Sequence, residues 1–425
     1  MTRFRVTGGN KLTGTIKISG SKNAALPAMC AALLADTPTK LTNVPDIRDV
    51  HAMAEIIRSL GASVNQIDSH SWEISAKGLN KSEITYLLGR RLRASILLLG
   101  PILARLGRIR IPHPGGCLLG KRPVDTHFEA LRSMGATIEH VGDYYDAAAH
   151  SLHAAYLYLE EVSVTATENV LMAAALTEGK TTIRGAATEP HVVNLCQLLV
   201  AMGATIKGIG TQTLIINGVK TLVGTTHAIN GDEIETGTFA VAAAVTGGDL
   251  RLVEAPNDLD PIIYKLRRMG VSVTQEGSAV KVKANGSLLA AKIQVGVWPG
   301  FPTDLQPQFA VLATQASGDS LIHEWMYENR LKYTDSLIKM GAKIDSVNPH
   351  QAIIHGPTKL HGATIASPDI RSGIAFVLAS LAAEGQSTIE HAELILRGYE
   401  RLVDKLSSVG ANITQEEVGE EDSSS

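Results

Sequence analysis

The stretch LRSMGATI, residues 131–138, decides how this chain is read, because it returns five more times. Its copies are IRSLGASV at 57–64, LVAMGATI at 199–206, LRRMGVSV at 266–273, LIKMGAKI at 337–344 and LSSVGANI at 406–413. Their glycines are Gly61, Gly135, Gly203, Gly270, Gly341 and Gly410, spaced by 74, 68, 67, 71 and 69 residues. Self-similarity at a fixed period marks one repeated supersecondary unit. Each copy reads as the last turn of a helix, a Gly able to take the left-handed conformation just past the helix end, and the start of a strand.

A second element keeps step with the first. Small apolar runs end in a turn and a short strand, as in AALLADTPTKLTNV (31–44), AAALTEGKTTIRGA (173–186), AAAVTGGDLRLVEA (242–255) and LAAEGQSTIEHA (381–392). Runs that are apolar nearly all round predict buried helices. HAMAEIIRSLGA (51–62) and PIIYKLRRMGV (261–271) are amphipathic and predict outer helices. The expected fold is therefore α/β and two-lobed, each lobe three repeated helix-and-sheet units around buried helices. Lobe one is expected over 21–229 and lobe two over 230–415. Residues 1–20 are expected to form a strand crossing to the second lobe, and the acidic tail 416–425 to be disordered.

Composition narrows the function. A chain of 425 residues with 44% hydrophobic and 19% charged residues builds more than one core. A net charge of -3 argues against a large nucleic-acid footprint, and 4% aromatics against a base-stacking platform. Cys30, Cys117 and Cys196 form no disulfide framework and no paired metal-binding spacing, which suits a reducing compartment. The opening residues carry no apolar signal core and no run is long enough to cross a membrane, so a cytoplasmic location is expected.

The starts of the buried helices carry the chemistry. They read SKNA (21–24), RAS (93–95), ATEN (166–169), IETGT (234–238), FPTDL (301–305) and SPDIRS (367–372). Ser21, Thr236 and Thr303 are accounted for as N-caps. Lys22, Arg93 and Arg371 are not, because a cation opposes the positive end of the helix dipole. Cations recurring at helix starts suggest a shared anionic ligand, which free helix N–H groups also favour. Arg48, Arg122, Arg330 and Arg397 fall at equivalent places after strands, and Arg forks suit phosphate and carboxylate. Cys117 sits in PGGC (114–117), followed by Lys121 and Arg122. Glycines give such a loop freedom and nearby cations favour a reactive thiolate.

With these residues assembled, the chain resembles the enolpyruvyl transferases over about residues 1–415, and within them the branch acting on UDP-N-acetylglucosamine. The landmarks are GSKNA (20–24), RAS (93–95), PGGC (114–117), RPVD (122–125), FPTD (301–304), ENR (328–330), DIR (369–371) and RGYE (397–400). The resemblance implies transfer of enolpyruvate from phosphoenolpyruvate to the sugar's 3′-hydroxyl with release of phosphate, a committed step of peptidoglycan synthesis, with lobes that close over the substrates. It implies no metal and no organic cofactor, and no nucleic-acid or membrane partner. It implies Cys117 as acid, Asp304 as base, and Lys22, Arg122 and Arg397 as cations for phosphoenolpyruvate. Asn23, Arg93, Pro123, Val124, Asp125, His127, Met326, Arg330, Asp369 and Arg371 match its substrate-binding positions. The chain departs from the family at Glu161 and Glu233, where relatives often carry a base or cation, and at Leu394 and Leu396, where polar residues are common. These departures keep open a transferase for another nucleotide acceptor. A non-catalytic sugar-nucleotide sensor is a further alternative, disfavoured by the retained Cys117 and Asp304. The shikimate-pathway branch typically lacks the PGGC loop.

Overall fold

The computed structural model describes residues 1–114, 124–284 and 286–417. The chain forms two compact units. The first comprises residues 20–114 and 124–230; the second comprises Met1–Ser19 and residues 231–417.

In the first unit the inner helices are Lys22–Ala31, Leu99–Leu106 and Val164–Ala175, the second of them preceded by the 3-10 turn Arg93–Leu98. Eight of the ten residues of Lys22–Ala31 are buried, which follows from small and apolar side chains on every face. Two four-stranded sheets and one three-stranded sheet cover them. The three-stranded sheet places Tyr144–Ala148 between Arg108–Pro112 and Thr137–Val141, antiparallel to both. In the second unit the inner helices are Glu233–Val245, Gln306–Thr314 and Ile370–Ala382, again buried on all sides. Three four-stranded sheets surround them. The outer helices are one-sided, as amphipathic sequence requires. Arg48–Ser59 buries Val50, Met53, Ile56 and Ile57 while Glu55 and Arg58 face outward.

The first nineteen residues supply two strands, each to a different sheet of the second unit. Thr2–Thr7 lies between Gln386–Glu390 and Asn412–Glu417, antiparallel to both. Thr13–Lys17 pairs parallel with Asp249–Val253. The acidic tail expected from residue 416 therefore starts late, because Glu416 and Glu417 still pair with Arg3 and Thr2 in the sheet. The rest of that tail lies outside the described residues.

The six repeat glycines do what their spacing implied. Every one has a positive φ, from 84° at Gly270 to 111° at Gly203. In four copies a Schellman closure is complete. At Gly135, the Gly N–H donates to the Arg132 carbonyl at 2.9 Å and the Ala136 N–H reaches back to Leu131 at 3.0 Å. The same bonds recur at Gly203, Gly341 and Gly410. The arginines of the repeat are structural as well. Arg58, Arg132 and Arg267 each donate to a strand carbonyl six residues on, those of Val64, Ile138 and Val273.

The expected N-caps need correction. Ser21 makes no side-chain cap bond; Thr236 donates back to the Asp232 carbonyl; Thr303 donates to Glu324 at 2.6 Å. The side chains that cap inner helices are Ser163, Asp232 and Asp369. Residue type does not separate Ser and Thr from Asp as caps; position does, since each Asp lies one residue before its helix, where its carboxylate meets two free N–H groups.

Candidate active site

Each unit carries charged and polar residues at the starts of its inner helices. In the first unit, Lys22 is the first residue of its helix and its Nζ lies 3.7 Å from Asp49 Oδ2, both largely buried. Asn23 follows it and is partly exposed. Arg93 opens the 3-10 turn before the second inner helix. Val124 is buried; Asp125 is exposed and opens the outer helix Asp125–Ser133. His127 is buried, with a ring nitrogen 2.8 Å from Thr165 Oγ1. Burial and then the Arg93 charge push its pKa down to about 4, so the ring is neutral at pH 7. Cys117, Arg122 and Pro123 lie outside the described residues.

In the second unit, Asp304 sits in the turn Thr303–Leu305 that leads into the fifth inner helix. Its two carboxylate oxygens are held by different arginines. Arg330 Nη2 donates to Oδ1 at 2.8 Å. Arg371 Nε and Nη2 reach Oδ2 at 3.0 and 2.8 Å. The arginine side chains are only 2% and 8% exposed, while that of Asp304 is 31% exposed. The carboxylate is thus the accessible member of a buried ionic cluster. Bonds between ionised partners of this kind are short and strong. Burial lowers the proton affinity of Arg371, but Asp304, Tyr399 and Asp232 raise it further, so it is fully charged. The Arg371 cation at a helix start is thereby matched by protein carboxylate, not by ligand alone.

Asp369 spends its carboxylate as a cap, accepting from the Arg371 and Ser372 N–H groups and from Ser372 Oγ at 2.6 Å. Met326 is partly exposed, and its N–H donates to Glu324. Arg397 ends the 3-10 turn Ala392–Arg397. Two surface hollows do not gather these residues. One of about 620 Å³, lined in part by Tyr264, Lys265 and Phe301, contains none of them, and one of about 230 Å³ contains only Asp125.

The comparisons with known proteins place the chain in a family. The family model for EPSP synthase (3-phosphoshikimate 1-carboxyvinyltransferase) matches residues 6–406. The UDP-N-acetylglucosamine 1-carboxyvinyltransferase of Treponema denticola is 43% identical over 98% of this chain and 100% of its own. The protein of the same name from Bradyrhizobium diazoefficiens is 44% identical over 97% of both chains. The chain belongs to the enolpyruvyl transferase family. Among solved structures, the enolpyruvyl transferase NikO of Streptomyces tendae superposes with a TM-score of 0.89 at 24% identity, over 98% of this chain and 99% of its own. An EPSP synthase from Acinetobacter baumannii follows with a TM-score of 0.78 at 22% identity, over 98% and 100%. At these identities the likeness is one of fold.

Several polar residues of this transferase were not singled out from sequence. Asp232, the fourth inner helix cap, is wholly buried; burial and the neighbouring Glu233 push its pKa up to about 7, against the pull of Arg371. Glu235 is buried and paired with Lys405 at 2.6 Å, and accepts the Ser19 N–H at 2.7 Å. Thr238, Gln308 and Tyr399 form a buried hydrogen-bonded group beside Arg371. Polar side chains inside otherwise apolar helices were the available signal. Of the departures from the enolpyruvyl transferase pattern, Glu161 is exposed, Glu233 is buried, and Leu396 packs against the core of the second unit. No described helix is long and apolar enough to cross a membrane.

Proposed function

We propose that the protein transfers the enolpyruvyl group of phosphoenolpyruvate to the 3′-hydroxyl of UDP-N-acetylglucosamine, releasing phosphate, as the first committed step of peptidoglycan synthesis in the cytoplasm. The observation that carries the acceptor is the identity of 43% over the whole length of a relative bearing that activity's name. The Asp304 cluster supports the chemistry, since it offers an ionised carboxylate at the surface of a buried cationic frame.

In this reading the reaction is addition followed by elimination. Cys117 gives a proton to the methylene carbon of phosphoenolpyruvate, which makes C2 electrophilic. Asp304 takes the proton of the sugar hydroxyl as its oxygen bonds to C2. The tetrahedral ketal, whose former methylene is now a methyl group, then gives a methyl proton back to the Cys117 thiolate and expels phosphate, which restores the methylene. Lys22, Arg122 and Arg397 hold the phosphate and carboxylate, and Asn23 holds the transferring group against the sugar. Arg93, Arg122, Pro123, Val124, Asp125, His127, Met326, Arg330, Asp369 and Arg371 surround the acceptor. General acid and base each contribute about 10²–10⁴-fold to such a step.

The test is phosphate release from phosphoenolpyruvate with UDP-N-acetylglucosamine as acceptor. Release only with another nucleotide acceptor sinks the assignment of acceptor and keeps the family; Glu161 and Glu233 are the reason to include such acceptors. Tight sugar-nucleotide binding without release with any acceptor points to a sensor. The epoxide fosfomycin tests the thiol: it is expected to alkylate Cys117 and spare the other two. Both of those are buried; Cys30 is pushed well above the usual thiol range and Cys196 up to about 12.

A further inference from the structure

The carboxylate of Asp304 is aligned by arginines, and one of those arginines is itself held from behind. Arg371 sends Nε and Nη2 to Asp304 and Nη1 to the hydroxyl of Tyr399, 3.5 Å away. That hydroxyl also lies 2.9 Å from Thr238 Oγ1 and receives Gln308 Nε2 at 3.4 Å. Tyr399 is 1% exposed, and Thr238 and Gln308 are fully buried. The direction of these bonds follows from counting hydrogens. Thr238 has one hydroxyl proton, and it goes to the Ile234 carbonyl at 2.8 Å. Thr238 must therefore accept from Tyr399. Arg371 can only donate to the Tyr399 oxygen, and Gln308 Nε2 donates to it and, also at 3.4 Å, to Thr238 Oγ1. The relay runs one way: Arg371 to Tyr399, Tyr399 to Thr238, Thr238 to the backbone of the Glu233–Val245 helix.

Each inner helix of the second unit places one residue in this group: Thr238 on the fourth, Gln308 on the fifth and Arg371 on the sixth. Tyr399 comes from the RGYE loop, two residues after Arg397. Buried hydrogen bonds of this kind hold their members in place, although Gln308 Oε1 has no partner among the described residues. Burial pushes the Tyr399 pKa up, so the phenol keeps the proton that the relay requires.

We propose that Tyr399 is a positioning residue for Asp304: by holding Arg371 against Thr238 and Gln308, it fixes the carboxylate that receives the acceptor's proton. The inference rests on the reading of Asp304 as the base. Reacting groups held loosely lose rate more than affinity, because alignment matters most in the transition state. The charged groups involved are few. Asp304 faces Arg330 and Arg371; Arg371 also faces Asp232; Arg330 also faces Asp369 and Glu324.

The experiment compares Tyr399→Phe, Thr238→Val and Thr238→Ser in the full chain, with kcat, KM for the acceptor and the pH profile of kcat/KM. Tyr399→Phe is expected to lower kcat by about tenfold with little change in KM. It also weakens the Arg371 clamp, so the acid limb of the profile moves to higher pH, since a carboxylate with less positive charge fixed beside it takes up a proton more readily. Thr238→Val removes the acceptor of the phenol proton and shifts both readouts the same way. Thr238→Ser keeps that acceptor and restores both. Wild-type kcat and a superposable profile in Tyr399→Phe and Thr238→Val overturn the proposal. If Tyr399→Phe does not fold, the Thr238 pair decides alone. Full turnover by Asp304→Asn removes the underlying reading of the base. An inactive Asp304→Asn beside a normal Tyr399→Phe removes only this inference.

Discussion

The two units repeat one architecture but treat charge at their helix starts in opposite ways. In the second unit the key carboxylate lies 2.8 Å from each of two buried guanidiniums, and its neighbours Asp232 and Asp369 cap helices. In the first unit the helix-start cation Lys22 stands 3.7 Å from Asp49, beyond hydrogen-bond length. Arg93 opens a helical turn, and among the described residues the inner-helix cap there is the neutral Ser163. The second unit aligns the Asp304 carboxylate, the base of the proposed reaction, with two buried arginines. The first sets Lys22 and Arg93 at helix starts, where the dipole is also positive, a placement that in the proposed reading suits an anionic substrate. Under the proposed function, one fold used twice would offer a proton acceptor from one copy and an anion site from the other.

The contrast can be broken most strongly at Asp304. Asp304→Asn keeps a hydrogen-bonding oxygen but removes the base, and kcat is expected to fall by roughly 10³ while the fold persists. Steady-state turnover with a thermal melt on the same sample checks both halves of that statement. A smaller effect is expected from Lys22→Ala in the first unit. Losing one charge-assisted contact to phosphoenolpyruvate should cost about 10–100-fold in kcat/KM for that substrate, with the acceptor's KM less affected.

The comparison sharpens further through pH. The second unit balances buried Glu235 with Lys405 at 2.6 Å. The first buries Glu168 with its pKa pushed up to about 8, by burial and then by Glu189, opposed by His191. The native state therefore holds a proton on Glu168 that the unfolded chain releases above its ordinary value of 4.5. This contribution to stability is full below about pH 4.5 and is lost as pH rises through about 8. Denaturant unfolding of Glu168→Gln between those limits should show a flatter pH dependence than the parent; an unchanged slope would refute the burial argument. The smallest expected difference lies in the caps. Asp369→Ala loses three accepted bonds and should cost about 1–2 kcal/mol, and Ser163→Ala, with one bond of 3.4 Å, about 0.5 kcal/mol. Paired melting curves would rank them.

What the sequence disclosed, and what it hid, follows from the range of each interaction. The repeat glycines were legible because a left-handed helix end is a local demand that one residue type meets. The inner helices were legible because a helix that is apolar all round has no face to offer water and must be enclosed. Lys22, Arg93 and Arg371 were placed at helix starts from register alone. The partners of Arg371 were not, since Asp304 is 67 positions away in the chain and no periodicity links them. The caps were misjudged for a related reason. Thr303 looked like a cap, but a 3-10 turn precedes the helix and Glu324 claims its hydroxyl. Gln308 was hidden inside an apolar run, and Thr238, though part of the IETGT helix start, gave no sign of its buried partner Tyr399, 161 positions away.

The strand Thr2–Thr7 carries a consequence for how the protein is made. Its neighbours in the sheet are Gln386–Glu390 and Asn412–Glu417. It leaves the ribosome well before either of them. At about 5–20 residues per second, it waits on the order of tens of seconds for a partner. During that interval the first unit, whose described residues all fall between 20 and 230, is free to fold. The second unit closes only when its opening strand has been threaded between two of the latest to emerge. An early strand with Phe4 and Val6 on one face and charged Arg3 and Arg5 on the other is suited to that wait, because charges along an unpaired edge discourage pairing with a stranger.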